Sequence, residues 1–538
     1  MKKLLFFAAI YFWMVSAPLC ADILILKDGR VFDAIQLETT DGGYVVKYEH
    51  GDLFVPSALV ESVVLESGDY PAYEPVNQDE EAKLAKGLVP FRGKWMSPKK
   101  REKKLNDFIE EQRAAIKDYE KHSVWRDRYK IQTKYFNFEH TLPPHVFERY
   151  SKAMEAYFSA FCKEWKVKPQ RGYAKNPKDT RLLVCFYSNR PLFHQVSGAS
   201  PNTLGYFRFV KPLELNIYYD RIAPEDSTEV MFHEANHYLQ KLINVEFSYP
   251  HFPGEALAEF YGASHWDEES EKLESGLILE GRLTEVQTDI AKGEMMSLEK
   301  MLTTRMYEHY TWGWTFVHFL LNDKRYAKNF KKFFVGLAKD KKVKREHMGV
   351  DGLKTVPQEE VLGVFMRFMK IKDMDALREM EKEWHQYIQD ELEVTSSVGL
   401  EKAAENALRH GRKIRARRLY QETIDTGEAS ARAHHRFALF VLDTGTDKKN
   451  RNIEDVEEEK LKLLGLWRKA VELDPMTGQY HAALGYFLKA TGELEEGGRL
   501  IRLADDIGPK DENAKLLTKL RRMLPLDIEN EDAAEEKD

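Results

Sequence analysis

Cysteine is scarce in this chain: three residues in 538. Cys20 falls in the N-terminal leader, so Cys162 and Cys185 alone remain, too few for any cysteine-built metal site. Two readings stay open for them. An oxidising compartment permits one disulfide, and small buried apolar side chains, one on a helix (YFSAFCKEW) and one on a strand (RLLVCFYS), serve equally well. Long apolar runs are lacking too. The one candidate, Leu4 to Val15 in MKKLLFFAAIYFWMVSAPLCAD, is too short for a comfortable membrane span. It follows Lys2 and Lys3 and precedes small residues, the pattern of a secretory signal peptide over 1–21 with cleavage after Ala21. Lipoprotein anchoring through Cys20 is disfavoured because Leu19 stands where a small residue belongs. No later segment is long enough to cross a membrane, so the protein is expected to be exported, periplasmic or extracellular, with no transmembrane helix once the signal is removed. Excess positive charge is the third absence. Lys and Arg total 81 against 88 Asp and Glu, for a net charge of -7, which offers no electrostatic basis for binding nucleic acid.

Core-forming residues are plentiful. The chain is 43% hydrophobic and 12% aromatic, which excludes a disordered protein and leaves room for about two to four domains. A multidomain α+β architecture is expected. Residues 22–66 alternate apolar and polar around Asp28-Gly29, Asp41-Gly42 and Gly51-Asp52, predicting a small SH3-like β-barrel or roll, either a docking module or a stabilising appendage. Residues 67–128 read as a charged helical linker, with SPKKREKKLNDFIEEQRAAIKDYEKH a helix bearing a solvated mixed-charge face. From 129 to 395 the pattern is mixed. YKIQTKYFNF, RLLVCFYS and LELNIYYD predict strands, PPHVFERYSKAMEAYFSAFCKEW an amphipathic helix, and residues 254–395 are mostly helical. Residues 396–528 resemble tetratricopeptide (TPR) repeats: Leu484-Gly485 in one helix, Gly492 at the turn, Ala504 in the next and Pro509 beyond it, with weaker copies around 404–427 and 467–475. Residues 529–538 form an acidic tail.

The sharpest signal is STEVMFHEANHYLQKL. His233 and His237 are spaced i, i+4, so on a helix both imidazoles face one side and can hold one zinc ion. Glu234, beside the first histidine, can take a proton from water. A catalytic zinc needs a third protein ligand and an open position. Glu255 supplies a candidate, eighteen residues after His237, in the first turn of the helix expected in PHFPGEALAEFYGAS. Glu259, one turn later, can accept a hydrogen bond from the distal N–H of a ligating histidine.

The pairing of His233-Glu234-x-x-His237 with Glu255-Ala-Leu-Ala-Glu259 resembles the gluzincin branch of zinc metallopeptidases, and most closely the peptidase-MA-like group of secreted bacterial proteins. Pro250, Phe252, Glu255, Ala256, Ala258, Glu259 and Phe260 follow that group's motif, with Phe252 where Trp is frequent and Ala256 where Gly is. The resemblance covers roughly residues 129–340 and is specific only at the metal site. It implies a zincin-like domain. It implies zinc on His233, His237 and Glu255, Glu234 as general base, and Tyr310 of YTWGWTFVHFLL as a hydroxyl on the oxyanion. It implies LELNIYYD as the edge strand that pairs with an extended substrate, and LGYFRF as a neighbouring strand or cleft wall. His309 rivals Tyr310. His318 reads as a core histidine, His251 as a solvated loop residue, and His265 as part of an acidic patch without metal spacing. The expected function is a secreted zinc peptidase acting on peptide or protein substrates, with an amidase on cell-wall peptides differing only in substrate. The TPR-like repeats would recruit a protein partner or simply cap the fold. The alternative is a binding protein built on a zincin scaffold with little turnover.

Overall fold

The computed structural model describes residues 22–65, 75–167, 181–210, 212–349, 352–445 and 453–524. The expected signal peptide with Cys20 and the acidic tail lie outside them. Five strands open the fold: β1 (Asp22–Leu26), β2 (Val31–Thr40), β3 (Gly43–Tyr48), β4 (Gly51–Pro56) and β5 (Val60–Val64). They form one antiparallel half-barrel in the order β4-β3-β2-β1-β5. The Asp41-Gly42 loop joins paired Thr40 and Gly43, as the two-residue hairpin signal predicts. Next come α1 (Gln78–Ala85), a short hairpin of β6 (Val89–Phe91) and β7 (Lys94–Met96), and α2 (Pro98–His122). This stretch is more than a linker. α2 buries Leu105, Ile109 and Ile116 in a cluster with Ile23 and Val64 of the half-barrel, leaving its charged face to solvent.

The central domain starts with β8 (Tyr129–Gln132) and β9 (Phe136–His140). YKIQTKYFNF is therefore a hairpin and not one strand: Thr133 N–H donates to the Phe136 carbonyl across the turn, and Glu155 accepts from the Thr133 hydroxyl and the Tyr135 N–H. Then follow α3 (Pro144–Glu164), β10 (Leu182–Tyr187), α4 (Arg190–Ser197), β11 (Gly205–Arg208) and β12 (Glu214–Tyr218). The sheet runs β11-β12-β10-β9-β8, with β10 parallel to both neighbours and β11 antiparallel to β12. β12 is interior, which corrects the expectation that LELNIYYD is the edge. Its Leu215, Asn216, Ile217 and Tyr218 are all buried, as a strand covered on both faces must be, whereas β11 is only partly covered.

Strand alternation also separates the cysteines. Val184 and Phe186 face the main core, which holds Cys162 of α3, while Cys185 and Tyr187 belong to a second cluster with Phe193 and Tyr218. Opposite faces of one sheet cannot be bridged, and both thiols are free and buried.

Beyond β12 the chain is mainly helical: α5 (Pro224–Ile243), α6 (His251–Gly262), a hairpin of β13 (Ser264–Asp267) and β14 (Lys272–Ser275), α7 (Glu280–Ala291), α8 (Leu298–Thr303), α9 (Glu308–Asn322) and α10 (Ala327–Lys339). A two-residue ladder of β15 (Glu346–His347) and β16 (Lys354–Thr355), then α11 (Val361–Met369) and α12 (Met374–Glu391), complete the domain. One apolar core runs from Phe136 to Leu392.

Seven helices end the described chain: α13 (Ser397–Arg409), α14 (Lys413–Asp425), α15 (Ala431–Gly445), α16 (Ile453–Leu473), α17 (Gly478–Ala490), α18 (Leu494–Ile507) and α19 (Lys510–Met523). They stack as helical hairpins. A Cβ on Gly485 would stand 2.7 Å from the Gly497 carbonyl oxygen, so the small residues set the distance between α17 and α18. The half-barrel is not left free for docking on this side. Its Leu24, Leu26, Val46, Leu53 and Val55 share one core with Trp467, Leu484, Phe487 and Leu503. Arg30 sits 2.9 Å from Asp474, and His50 Nδ1 lies 2.9 Å from Asp506. Among the described residues no helix is long and apolar enough to cross a membrane.

Candidate metal centre

α5 is a helix for local reasons. Pro224 occupies its first position, and Glu225 and Asp226 complement the positive end of the helix dipole. Met231, Phe232, Ala235, Tyr238 and Leu239 face the core. The opposite stripe carries His233, Glu234 and His237, each only partly covered, into a cleft of about 710 Å³. A buried amide ladder fixes this helix to its neighbours. Asn236 donates to the Tyr157 hydroxyl of α3 at 2.7 Å. Gln240 Nε2 donates to Asn236 Oδ1 at 2.7 Å and to the Gly254 carbonyl at 2.9 Å. That last bond grips the residue before Glu255. Pro253 drives Phe252 out of helical geometry, so α6 begins with a kink, and Glu255 arrives over the two histidines.

The resulting distances are specific. Glu255 Oε2 is 3.4 Å from His233 Nε2 and 3.2 Å from His237 Nε2. Three ligand atoms around a tetrahedral zinc at about 2.0–2.1 Å must stand about 3.3–3.4 Å apart, the edge of that tetrahedron. Ligand-type atoms of His233, Glu234 and His237 also fall within 4.8 Å of one another, so Glu234 competes for the third place. Its orientation decides against it: Glu234 Oε2 accepts the Phe207 N–H of β11 at 2.8 Å, which turns the carboxylate toward the edge strand. Charge makes the same case for a cation. Burial opposes an ionised carboxyl at Glu255, yet His237 and His233 hold it well below the usual range. Burial likewise opposes charge on His233, yet Glu255, Glu259 and Glu234 push it up to about 9. A donor set this rich in carboxylates suits a divalent ion better than protons.

Glu259 departs from expectation. It is 2% exposed, and its Oε1 lies 3.6 Å from His233 Nδ1, beyond a hydrogen bond. Its direct partner is Arg282 of α7, which donates to both carboxylate oxygens at 2.8 and 3.3 Å. Arg282 also donates to the Tyr307 hydroxyl at 2.9 Å and lies 5.6 Å over the Tyr310 ring. Sequence reasoning missed Arg282 because EGRLTE carries no motif. It missed Asn236 and Gln240 because a polar residue on a helix gives no sign of being buried.

Tyr310 stacks on His233 with ring centres 6.1 Å apart. Burial and then the nearby Glu255 and Glu234 carboxylates raise its hydroxyl pKa, so it remains a donor. Its placement depends on Gly313, one turn on, where a Cβ would stand 3.1 Å from Ala256 Cβ; α9 thus lies close against α6. His251 is not a solvated loop residue. It opens α6, lines the cleft, and its Nδ1 is 2.7 Å from His309 Nδ1. His309 is fully buried, with Nε2 2.8 Å from the Met301 carbonyl, so it offers nothing directly to the cleft. His318 is a core histidine bonded to the Tyr387 hydroxyl, and His265 lies on the β13–β14 hairpin.

The cleft runs along β11. Phe207 pairs with Leu215 of β12, yet its N–H points away from β12, at Glu234. By strand alternation Gly205 shares that orientation, so the edge of β11 away from β12 faces the cleft, with its Phe207 N–H already taken by Glu234. Gly205 is required there: a Cβ would meet Val230 Cγ1 at 2.5 Å, because the strand lies directly on α5. The C-terminal helices reach the same helix from outside. Lys402 of α13 pairs with Asp226 at 2.7 Å and Glu229 at 2.9 Å, and Arg432 of α15 with Glu225 at 3.1 Å. Comparison of the chain with protein-family models, with curated proteins and with solved structures finds no match in any of the three.

Proposed function

We propose that this protein is a zinc-dependent metallohydrolase, a peptidase of gluzincin type. The observation that carries the reading is the position of Glu255 Oε2, 3.4 and 3.2 Å from two imidazole nitrogens, with a second carboxylate, Glu234, turned aside to the edge strand. His233, His237 and Glu255 would hold the ion. Zinc held there would supply an acidified water and a Lewis acid for a carbonyl. Glu234 would take a proton from the attacking water on a carboxylate oxygen and deliver it to the departing amine nitrogen. The Phe207 N–H keeps the carboxylate aimed. Tyr310 donates its hydroxyl to the developing oxyanion, and the groups of the outer β11 edge beyond the Phe207 N–H align an extended peptide by strand addition. The substrate is therefore an extended peptide or unfolded protein segment. Export to the periplasm or beyond is part of the same proposal and rests on residues 1–21.

The rival reading is a scaffold whose half-barrel and TPR-like helices bind protein partners. The shared core of those two parts counts against it, since each covers apolar surface of the other. Zinc analysis and hydrolysis of quenched peptide libraries separate the readings. Stoichiometric zinc is expected in wild type and in Glu234→Gln, with hydrolysis falling at least about 100-fold in the variant. Zinc without hydrolysis in either protein favours the scaffold, and no tight zinc binding by the wild type defeats both.

A further inference from the structure

The His251–His309 pair lies outside the roles assigned above, and its two short contacts point to one arrangement. His309 Nε2 faces the Met301 carbonyl oxygen at 2.8 Å. A carbonyl only accepts, so that nitrogen carries a proton. Burial holds His309 down at about 4, so the ring is neutral and its Nδ1 is bare. His251 Nδ1, 2.7 Å away, must then be the donor. Burial also keeps His251 below its ordinary range, ahead of the opposing pull of Glu255, so its one proton is on Nδ1. The remaining nitrogen, Nε2, is left as a bare acceptor on a side chain that lines the cleft.

A chain of contacts runs from the edge strand through the metal-site residues to this histidine on the cleft wall. β11 touches Glu234; Glu255 stands over His233 and His237; Tyr310 stacks on His233; and His251 lies edge-on to Tyr310, with ring centres 5.4 Å apart. A peptide strand added to β11 uses one edge for that pairing. Its other edge turns N–H and C=O groups to the opposite wall. An acceptor there matches an N–H, and the Tyr310 hydroxyl beside it matches a C=O.

We propose that His251, locked by His309 in the tautomer with the proton on Nδ1, uses Nε2 to accept a backbone N–H of the peptide on the edge facing away from β11. His309 is a positioning residue that sets this tautomer. The inference rests on the peptidase reading for its ligand, but the tautomer stands or falls alone.

Two measurements test it. Long-range ¹H–¹⁵N spectra of histidine-labelled, zinc-loaded full chain, with His251 and His309 assigned from single variants, should show His251 neutral with Nδ1–H and His309 neutral with Nε2–H. His251 carrying its proton on Nε2 overturns the proposal whatever the activity. The second reads binding of fluorescein-labelled casein by anisotropy in the Glu234→Gln background, so turnover plays no part. His251→Leu and His309→Phe should each weaken binding by about 3–10-fold, the worth of one neutral hydrogen bond. His309→Gln should restore it, because the amide oxygen accepts from His251 and the amide nitrogen donates to Met301. At matched zinc content and melting temperature, Gln performing no better than Phe at position 309 refutes the positioning role. If His309→Phe fails to fold, the wild-type tautomer and His309→Gln against His251→Leu decide. Loss of zinc binding with the expected tautomer defeats the peptidase reading and leaves this arrangement standing.

Discussion

Replacing Arg282 by Met isolates the part of the site that no motif announces. Glu259 is 2% exposed, and Arg282 is the cation hydrogen-bonded to it, donating at 2.8 and 3.3 Å. His233 Nδ1, at 3.6 Å, is too far to replace it. Removing one partner of a buried pair strands the other and costs about 3–5 kcal/mol. For a domain of this size that lowers the unfolding midpoint by roughly 6–20 °C. Changing Glu259 to Gln at the same time removes the stranded charge. The double variant should recover most of the loss, ending within about 1–2 kcal/mol of wild type. The cycle of wild type, Arg282→Met, Glu259→Gln and the double variant then yields a coupling of about 2–4 kcal/mol, read by calorimetry on the zinc-free protein. Zinc affinity should fall about 10–100-fold in Arg282→Met, because His233 loses the carboxylate behind it, as measured by competition with a fluorescent chelator. A midpoint shift below about 2 °C, or a double variant no more stable than Arg282→Met, would falsify the view that Glu259 is held by Arg282 for His233.

Gly205→Val should force β11 off α5, because the new side chain meets Val230 Cγ1 and Ile217. Peptide hydrolysis should drop at least about ten-fold with zinc content unchanged, and Val230→Ala in the same chain should recover part of it; equal rates for Gly205→Val and wild type would refute the close strand–helix contact. Acid should weaken the C-terminal helices through His435, which is buried beside Tyr480 with ring centres 5.1 Å apart and which burial holds down at about 4. The unfolded chain takes up that proton near its ordinary value of about 6.5, so the contribution is intact above about pH 6.5 and is lost as pH falls toward 4. Relative to wild type, His435→Phe should gain about 2 kcal/mol between pH 7.5 and pH 5; stability curves that stay parallel over that range would exclude the effect.

The amino-acid order alone carried the local elements and the metal-site candidates. Period-two alternation located the half-barrel strands, and helical spacing located α3, α5 and the C-terminal hairpins. Such patterns are legible because each records which side of one element is buried. The i, i+4 histidines needed only a helix to share a face, so His233, Glu234 and His237 were readable without any tertiary knowledge. Glu255 was readable as a candidate by its spacing, but its fit was not. The distances to the imidazoles depend on the Gln240–Gly254 bond, the Phe252 kink and the Gly313 contact that seats α9, none of which is a local pattern. Long-range packing alone decided the rest. Strand order moved the cleft edge from β12 to β11, because alternation within a strand does not reveal its neighbours. Sheet faces kept Cys162 from Cys185. Arg282, 23 residues beyond Glu259, became its partner only when α7 folded back. The half-barrel and the last helices, hundreds of residues apart in the chain, met because each exposed an apolar face that the other could cover. Burial per element is written in the sequence; the choice of what buries it is made by the whole chain.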